Sequence, residues 1–252
     1  MGTLGYYQSI ESFALVDGPG VRSVIFLQGC PYRCLFCHNP DTWPFLKTNP
    51  IEAQEAFKKL SRFKPYWGDK GGITVSGGEP LSQIDFLLEL GEICKKENVS
   101  FVIDTAGGPF SKNPQFLAKF DRLLSFCCLF LLDMKVIDEK QHQKLVGADN
   151  QNVLEMYEYL AKKHFPIWVR RVLVPGYNDK EEWLKKEGDY LASLGNVQRI
   201  EVLPYHTLGV SKYKKLGIPY PLDRVNQPSE EEIERAKELL KADECPYEKT
   251  AS

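Results

Sequence analysis

Gly29-Cys30-Pro31-Tyr32-Arg33-Cys34-Leu35-Phe36-Cys37-His38-Asn39 is the stretch that decides how this chain is read. Three of the seven cysteines lie in it at C-x3-C-x2-C spacing, directly after the apolar run Val21–Gln28. Thiolates so spaced on one loop converge on a point, where they hold a metal ion or an iron–sulfur cluster. A structural zinc site closes with four ligands, and an electron-transfer cluster takes four cysteines. Three cysteines on a cubane instead leave one iron open to a ligand that is not protein. His38 directly follows Cys37, and adjacent residues rarely bind one metal together. Buried structural cysteines occur singly and seldom at ligand spacing.

Outward from this loop the chain alternates element types. Apolar, β-branched runs occur at 21–28, 73–76, 100–103, 129–134, 167–174 and 199–203. Helical spacing fills the intervals at 50–63, 83–97, 114–123, 139–145, 151–163 and 180–194, and a last helix at 229–241 opens with Ser229 and Glu232 placed for a capping box. Alternating strand and helix implies parallel strands with right-handed crossovers. Six such units predict a partial (β/α)6 TIM-like barrel, one α/β domain over residues 1–242; the alternative is an open doubly wound sheet. Residues 243–252 read as a polar, mobile tail containing Cys245. Cys94 falls in a helix, and Cys127 lies too far along a strand from Asp133 to reach a site at its end; both read as structural.

In a barrel, chemistry sits at the carboxyl ends of the strands, and the unusual residues fall there. The cysteine loop follows the first strand and Ser76-Gly77-Gly78-Glu79-Pro80 the second. Asp104-Thr105 ends the third, Asp133 and Lys135 the fourth, Arg170 lies in the fifth, and Pro204-Tyr205-His206 ends the sixth. Paired glycines let a backbone approach a ligand closely. Asp133 and Lys135 share a strand face, whereas Arg170 and Arg171 face opposite ways, and periodicity does not choose between them. Asp17 precedes the first strand, which by this rule assigns it to the opposite rim.

C-x3-C-x-aromatic-C, with Phe36 in the aromatic slot, resembles the signature of the radical S-adenosylmethionine (SAM) enzymes. The flanks Asp17-Gly18-Pro19-Gly20-Val21-Arg22 and Cys37-His38-Asn39-Pro40-Asp41-Thr42-Trp43 resemble those of the glycyl-radical-enzyme activases, nearest to the ones acting on pyruvate formate-lyase, and matching segments run to about residue 240. The resemblance implies a [4Fe–4S] cluster on Cys30, Cys34 and Cys37 with SAM on the fourth iron. It implies SAM contacts from Phe36, His38, Gly77, Gly78, Glu79, Asp104, Lys135, Arg170, Val172, Leu203 and His206, with Arg171 packed outward. A monovalent cation (Na+ or K+) falls to Asp104, Thr105, Leu131 and Asp133. Asp17, His38 and Asn39 are implied to hold the backbone of a protein substrate's loop, despite the position of Asp17. Cleavage of SAM then yields a 5′-deoxyadenosyl radical that takes hydrogen from a backbone glycine of pyruvate formate-lyase, with flavodoxin or a similar low-potential donor supplying the electron. One departure stands out: Asp104-Thr105-Ala106-Gly107-Gly108 replaces the usual Asp-Thr-Asn-Gly.

The bulk numbers restrict the rivals. A net charge of −2 argues against general nucleic-acid binding, which needs a basic face. No secretory signal pattern is visible, and the longest apolar run, Leu123–Leu132, reads as a buried strand too short to cross a membrane. An odd cysteine count with a ligand cluster suits a reducing cytoplasm. Activases for other glycyl-radical enzymes commonly carry an inserted ferredoxin-like segment, but Pro44–Gly72 contains no cysteine. A non-catalytic metal-binding or electron-transfer module would need a fourth protein ligand, and none is well placed. The resemblance also implies a monomer.

Overall fold

The computed structural model describes residues 2–246, which form two compact units. The first takes the residues up to Pro31 together with Thr42–Leu131; the second takes Tyr32–Asp41 and the residues from Leu132 onward.

In the first unit the elements are β1 (Leu4–Ala14), β2 (Arg22–Leu27), β3 (Pro50–Glu52), α1 (Ala53–Leu60), β4 (Gly72–Gly77), α2 (Ile84–Lys96), β5 (Ser100–Thr105), α3 (Pro114–Leu124) and the start of β6 (Leu129–Asp133). The sheet order is β3-β1-β2-β4-β5-β6. β2, β4 and β5 are parallel and in register, with Thr74 opposite both Val24 and Val102. Almost every residue of β2 and β4 is buried, as strands covered on both faces are. β1 runs antiparallel to both β2 and β3.

The sequence reading missed β1 and β3, because β1 mixes Tyr, Gln, Ser and Glu with few aliphatics, and β3 is three residues long. Pro50 was expected to open a helix, but it opens β3, and α1 starts only at Ala53. The run Leu123–Leu132 is not one strand. Its first leucines end α3, and Cys127 precedes β6.

Asp17 also departs from the strand-end rule. β2 begins at Arg22, so the Asp17–Val21 segment has room to fold back, and the Asp17 carbonyl accepts a hydrogen bond from Thr74 Oγ1 at 2.7 Å, midway along β4. Arg22 holds this turn. Its buried guanidinium donates to Thr74 Oγ1 (2.6 Å), Ile73 O (2.7 Å) and Pro19 O (3.1 Å). Burial pulls its pKa down to about 10, partly offset by neighbouring groups that include Asp17. Gly20 is required: its φ is +71°, and a Cβ would meet Gly71 N at 2.6 Å.

In the second unit, the end of β6 leads to α4 (Glu139–Val146), α5 (Gln151–Lys162), β7 (Ile167–Leu173), α6 (Glu181–Leu194), β8 (Val197–Pro204), α7 (Val210–Leu216) and α8 (Glu230–Leu239). Met134 N donates to Arg170 O at 2.9 Å, joining the end of β6 to β7, and β7 pairs parallel with β8. β2, β4, β5, β6, β7 and β8 thus answer to the six expected strands. The Ser229–Glu232 capping box opens α8 as the sequence predicts. Cys245, assigned to a mobile tail, is buried at 7% exposure beside the short turn Ala242–Glu244; residues 247–252 of that tail lie outside the described residues. No helix among the described residues is long and apolar enough to cross a membrane.

Arg171 lies on the strand face opposite Arg170 and pairs with Glu187 of α6 at 2.9 Å, both side chains being 0% exposed. The Arg171 guanidinium also donates to the carbonyls of Val172 and Asn178. Asn178 in turn donates to the carbonyls of Lys135 and Val172. A buried charge pair thereby fixes the backbone of Lys135. Burial pushes the Glu187 carboxyl up and Arg171 pulls it down. Glu187→Ala, which leaves the guanidinium buried without its counter-charge, is expected to cost about 3–5 kcal/mol in urea unfolding. The double change Arg171→Met with Glu187→Leu is expected to recover most of that loss.

Candidate active site

The cysteine loop begins in the first unit, held by main-chain groups. Gly29 N donates to Thr42 O (2.8 Å), Cys30 N to Trp43 O (3.1 Å), and Glu79 N to Gly29 O (2.8 Å). The paired glycines expected to approach a ligand approach this backbone. A Cβ on Gly77 would meet Leu27 N at 2.3 Å, and one on Gly78 would meet Gly29 O at 2.4 Å. Glu79 is fully buried. Its carboxylate accepts from Leu81 N (3.0 Å), Ala106 N (2.9 Å) and the Thr105 hydroxyl, tying the turn after β4 to the turn after β5. Asp104 accepts from the Ser76 hydroxyl at 2.7 Å. Leu131 is fully buried within β6.

In the second unit the loop runs past the end of α4. Arg33 N donates to Val146 O and Leu35 N to Leu145 O, each at 2.9 Å. The last carbonyls of a helix have no partner inside it, and here two of them take loop amides. Cys37 N closes a turn on Cys34 O at 3.1 Å. Phe36 is buried, with Lys135 Nζ 5.2 Å from its ring centre, within cation–π range. Lys135 also pairs with Asp133 at 2.7 Å, their side chains 11% and 20% exposed. The pair is half-buried rather than solvated.

His38 stacks on His206, ring centres 3.9 Å apart, and its Nε2 lies 3.1 Å from His206 O. Its pKa falls to about 4, first from burial and then from His206, Lys135 and Lys212 nearby, so the ring is neutral at pH 7. Asn39 Oδ1 accepts from Lys212 Nζ at 2.7 Å. Arg170 Nε lies 3.6 Å from Glu201 on β8, which also takes Arg199 at 3.1 Å. Val172 and Leu203 are paired across β7 and β8 on the face that carries Arg170, both half-buried.

Three participants escape the sequence reading. Ser76 stood inside the quoted turn, yet nothing marked its hydroxyl as a partner of Asp104. Glu201 was legible in principle, two residues before Leu203 and therefore on the same strand face. Lys212 carries no local signal at all.

Residues 24–186 match the family model of the Radical SAM superfamily. Among curated proteins the chain is 46% identical over 238 residues to a pyruvate formate-lyase-activating enzyme of Streptococcus mutans, covering 94% of this chain and 90% of the relative. It is 44% identical to the protein of that name from Listeria monocytogenes, covering 94% and 96%. The chain belongs to the radical SAM superfamily. Among solved structures, a domain of pyruvate-formate lyase-activating enzyme from Bacteroides vulgatus superposes with a TM-score of 0.56 at 28% identity, covering 68% of this chain and 93% of that one. A radical SAM methyltransferase from Sphaerobacter thermophilus, at 18% identity, shares the fold with a TM-score of 0.61, over 89% of this chain and 65% of that one.

Radical SAM enzymes use a [4Fe–4S] cluster and SAM, and the donor set of this one suits the cluster. Cys30, Cys34 and Cys37 are half-exposed and none is in a disulfide. Among the described residues no three His, Cys, Asp or Glu gather as around a single metal ion; a cubane is served by thiols spread wider, each on its own iron. Because the Gly78 contact is with backbone, Gly78→Ala has no flexible neighbour to yield. It is expected to cost about 1–3 kcal/mol and to lower iron bound per chain after anaerobic reconstitution, read by iron analysis beside the wild type.

Proposed function

We propose that this radical SAM enzyme activates pyruvate formate-lyase by generating a glycyl radical on it. When bound, the cluster and SAM supply one-electron cleavage to a 5′-deoxyadenosyl radical, which takes hydrogen from a backbone glycine of the partner. Cys30, Cys34 and Cys37 would hold the cluster and leave one iron open to SAM. Backbone carbonyls at Gly77 and Gly78 and the Asp104 carboxylate receive the ammonium, while buried Glu79 braces that turn. Phe36 and Val172 with Leu203 bound the adenine; Lys135, Arg170, His206 and His38 supply polar contacts to the rest of the cofactor. Asp104, Thr105, Leu131 and Asp133 offer two carboxylates and further oxygens, a hard-donor set suited to Na+ or K+.

A peptide loop entering the site presents amide N–H and C=O groups, which are recognised by hydrogen bonds rather than charge. Asp17, whose carboxylate accepts from amide N–H groups, together with neutral His38 and Asn39, can supply such bonds. The electron comes from flavodoxin or a similar low-potential donor, in the reducing cytoplasm. The observation that carries the reading is the loop itself: its main chain is hydrogen-bonded along its length while three thiols stand on it outside any disulfide. The absence of cysteine from Pro44–Gly72 favours pyruvate formate-lyase over partners served by activases with a ferredoxin-like insert.

Anaerobic reconstitution is expected to load about four irons per chain, and adding SAM should change the EPR signal of the reduced cluster. Incubation with pyruvate formate-lyase should then produce a glycyl-radical doublet. Cys34→Ser should lose the cluster signal and the doublet together. A doublet on another glycyl-radical enzyme, with none on pyruvate formate-lyase, would overturn the named partner.

A further inference from the structure

The segment after β8 lies directly on the cysteine loop, all within the second unit. Three contacts bind them. The His206 ring stacks on His38 at 3.9 Å. Gly209 packs so tightly that a Cβ would lie 2.9 Å from His38 Cα and 3.3 Å from Cys37 O. Lys212, at the first turn of α7, donates to Asn39 Oδ1 at 2.7 Å and pairs with Asp41 Oδ1 at 3.2 Å.

These contacts differ in kind. A stacked ring pair tolerates sliding, and the Gly209 contact only limits approach. The ammonium of Lys212 alone grips two side chains on either side of Pro40, so it fixes both the distance and the direction of the His38–Asp41 turn. By occupying the amide oxygen of Asn39 it also fixes which way that amide faces, since the oxygen points at Lys212 and the N–H2 group points elsewhere. An Asn so oriented presents donors, the groups a peptide carbonyl requires.

We propose that Lys212 is a positioning residue, which sets the His38–Asp41 turn and the orientation of the Asn39 amide for the backbone of the partner's loop. The inference rests on the function proposed above for Asn39, but its structural half needs no partner. The two side chains that Lys212 holds, Asn39 and Asp41, are neither cluster cysteines nor residues assigned to SAM. Its loss is therefore expected to spare the cluster, while loosening the latch and weakening recognition.

The test compares wild type, Lys212→Met and Lys212→Arg. In the apo protein, limited trypsin digestion is scored by mass at the bonds after Lys214 and Lys215, both exposed at the end of α7. A charge-assisted contact that is half-exposed is modest in strength, so cleavage there should rise about fivefold in Lys212→Met and return towards wild type in Lys212→Arg. After reconstitution, iron content should match wild type. KM for the glycyl-radical partner should rise about fivefold with kcat nearly unchanged. Unchanged proteolysis in Lys212→Met would overturn the latch, and faster proteolysis with an unchanged KM would overturn its role in recognition. If the wild type places no radical on any glycyl-radical enzyme, the proposed function falls while the trypsin comparison still decides the latch.

Discussion

A loop that presents three free thiols must be held in place by its main chain, and this requirement organises the surroundings of Cys30–Cys37. In the first unit, Gly29, Cys30 and Glu79 exchange backbone hydrogen bonds with Thr42, Trp43 and one another. In the second, the amides of Arg33 and Leu35 take the last two carbonyls of α4. A helix end always has such carbonyls to offer, so using them leaves no polar group stranded and requires no side chain from the loop. The Gly77–Gly78 pair serves the same end. It removes the Cβ atoms that would keep β4 away from Leu27 and Gly29.

Charge is handled differently at the base of each unit. Arg22 is buried among carbonyls and hydroxyls, which solvate its guanidinium without neutralising it, and its pKa accordingly falls. Arg171 is buried against a carboxylate, and the strain of that burial appears on Glu187, whose pKa rises. Both arrangements fix a stretch of main chain beyond their own strand. Arg22 shapes the turn at Asp17, and Arg171 works through Asn178 on the backbone of Lys135. A buried ion pair seldom adds net stability over an apolar pair of the same shape. Its worth here lies in specifying one geometry.

Most of the strand and helix pattern was legible, because strands buried on both faces are written as short aliphatic runs and the helices between them keep their period. β2, β4, β7 and β8 end within two residues of where the sequence places them. What escaped was structure determined by partners distant in the chain. β1 mixes polar and apolar residues without a clean period, and its meaning depends on β2 and β3. Glu79 read as a ligand on motif grounds, yet its oxygens are engaged by Thr105 and Ala106, residues whose approach no local pattern reveals. Lys212 is the extreme case: 173 residues separate it from Asn39. Cys245 looked like part of a tail because its neighbours are polar, although one buried thiol is enough to pin a chain end.

The polar groups around His38 follow one logic. Lys135 is paired with Asp133, and Lys212 with Asp41 and Asn39, so both cations nearest the imidazole are already matched. Yet both still act on His38 at a distance, and with burial and the His206 ring they keep it uncharged. A neutral imidazole donates from one nitrogen and accepts at the other, which is how a backbone amide presents itself. A protonated ring would carry two donors and a charge, complementary to a carboxylate rather than to a peptide. The fixed lysines therefore do more than anchor a turn: they add to the burial that keeps His38 uncharged.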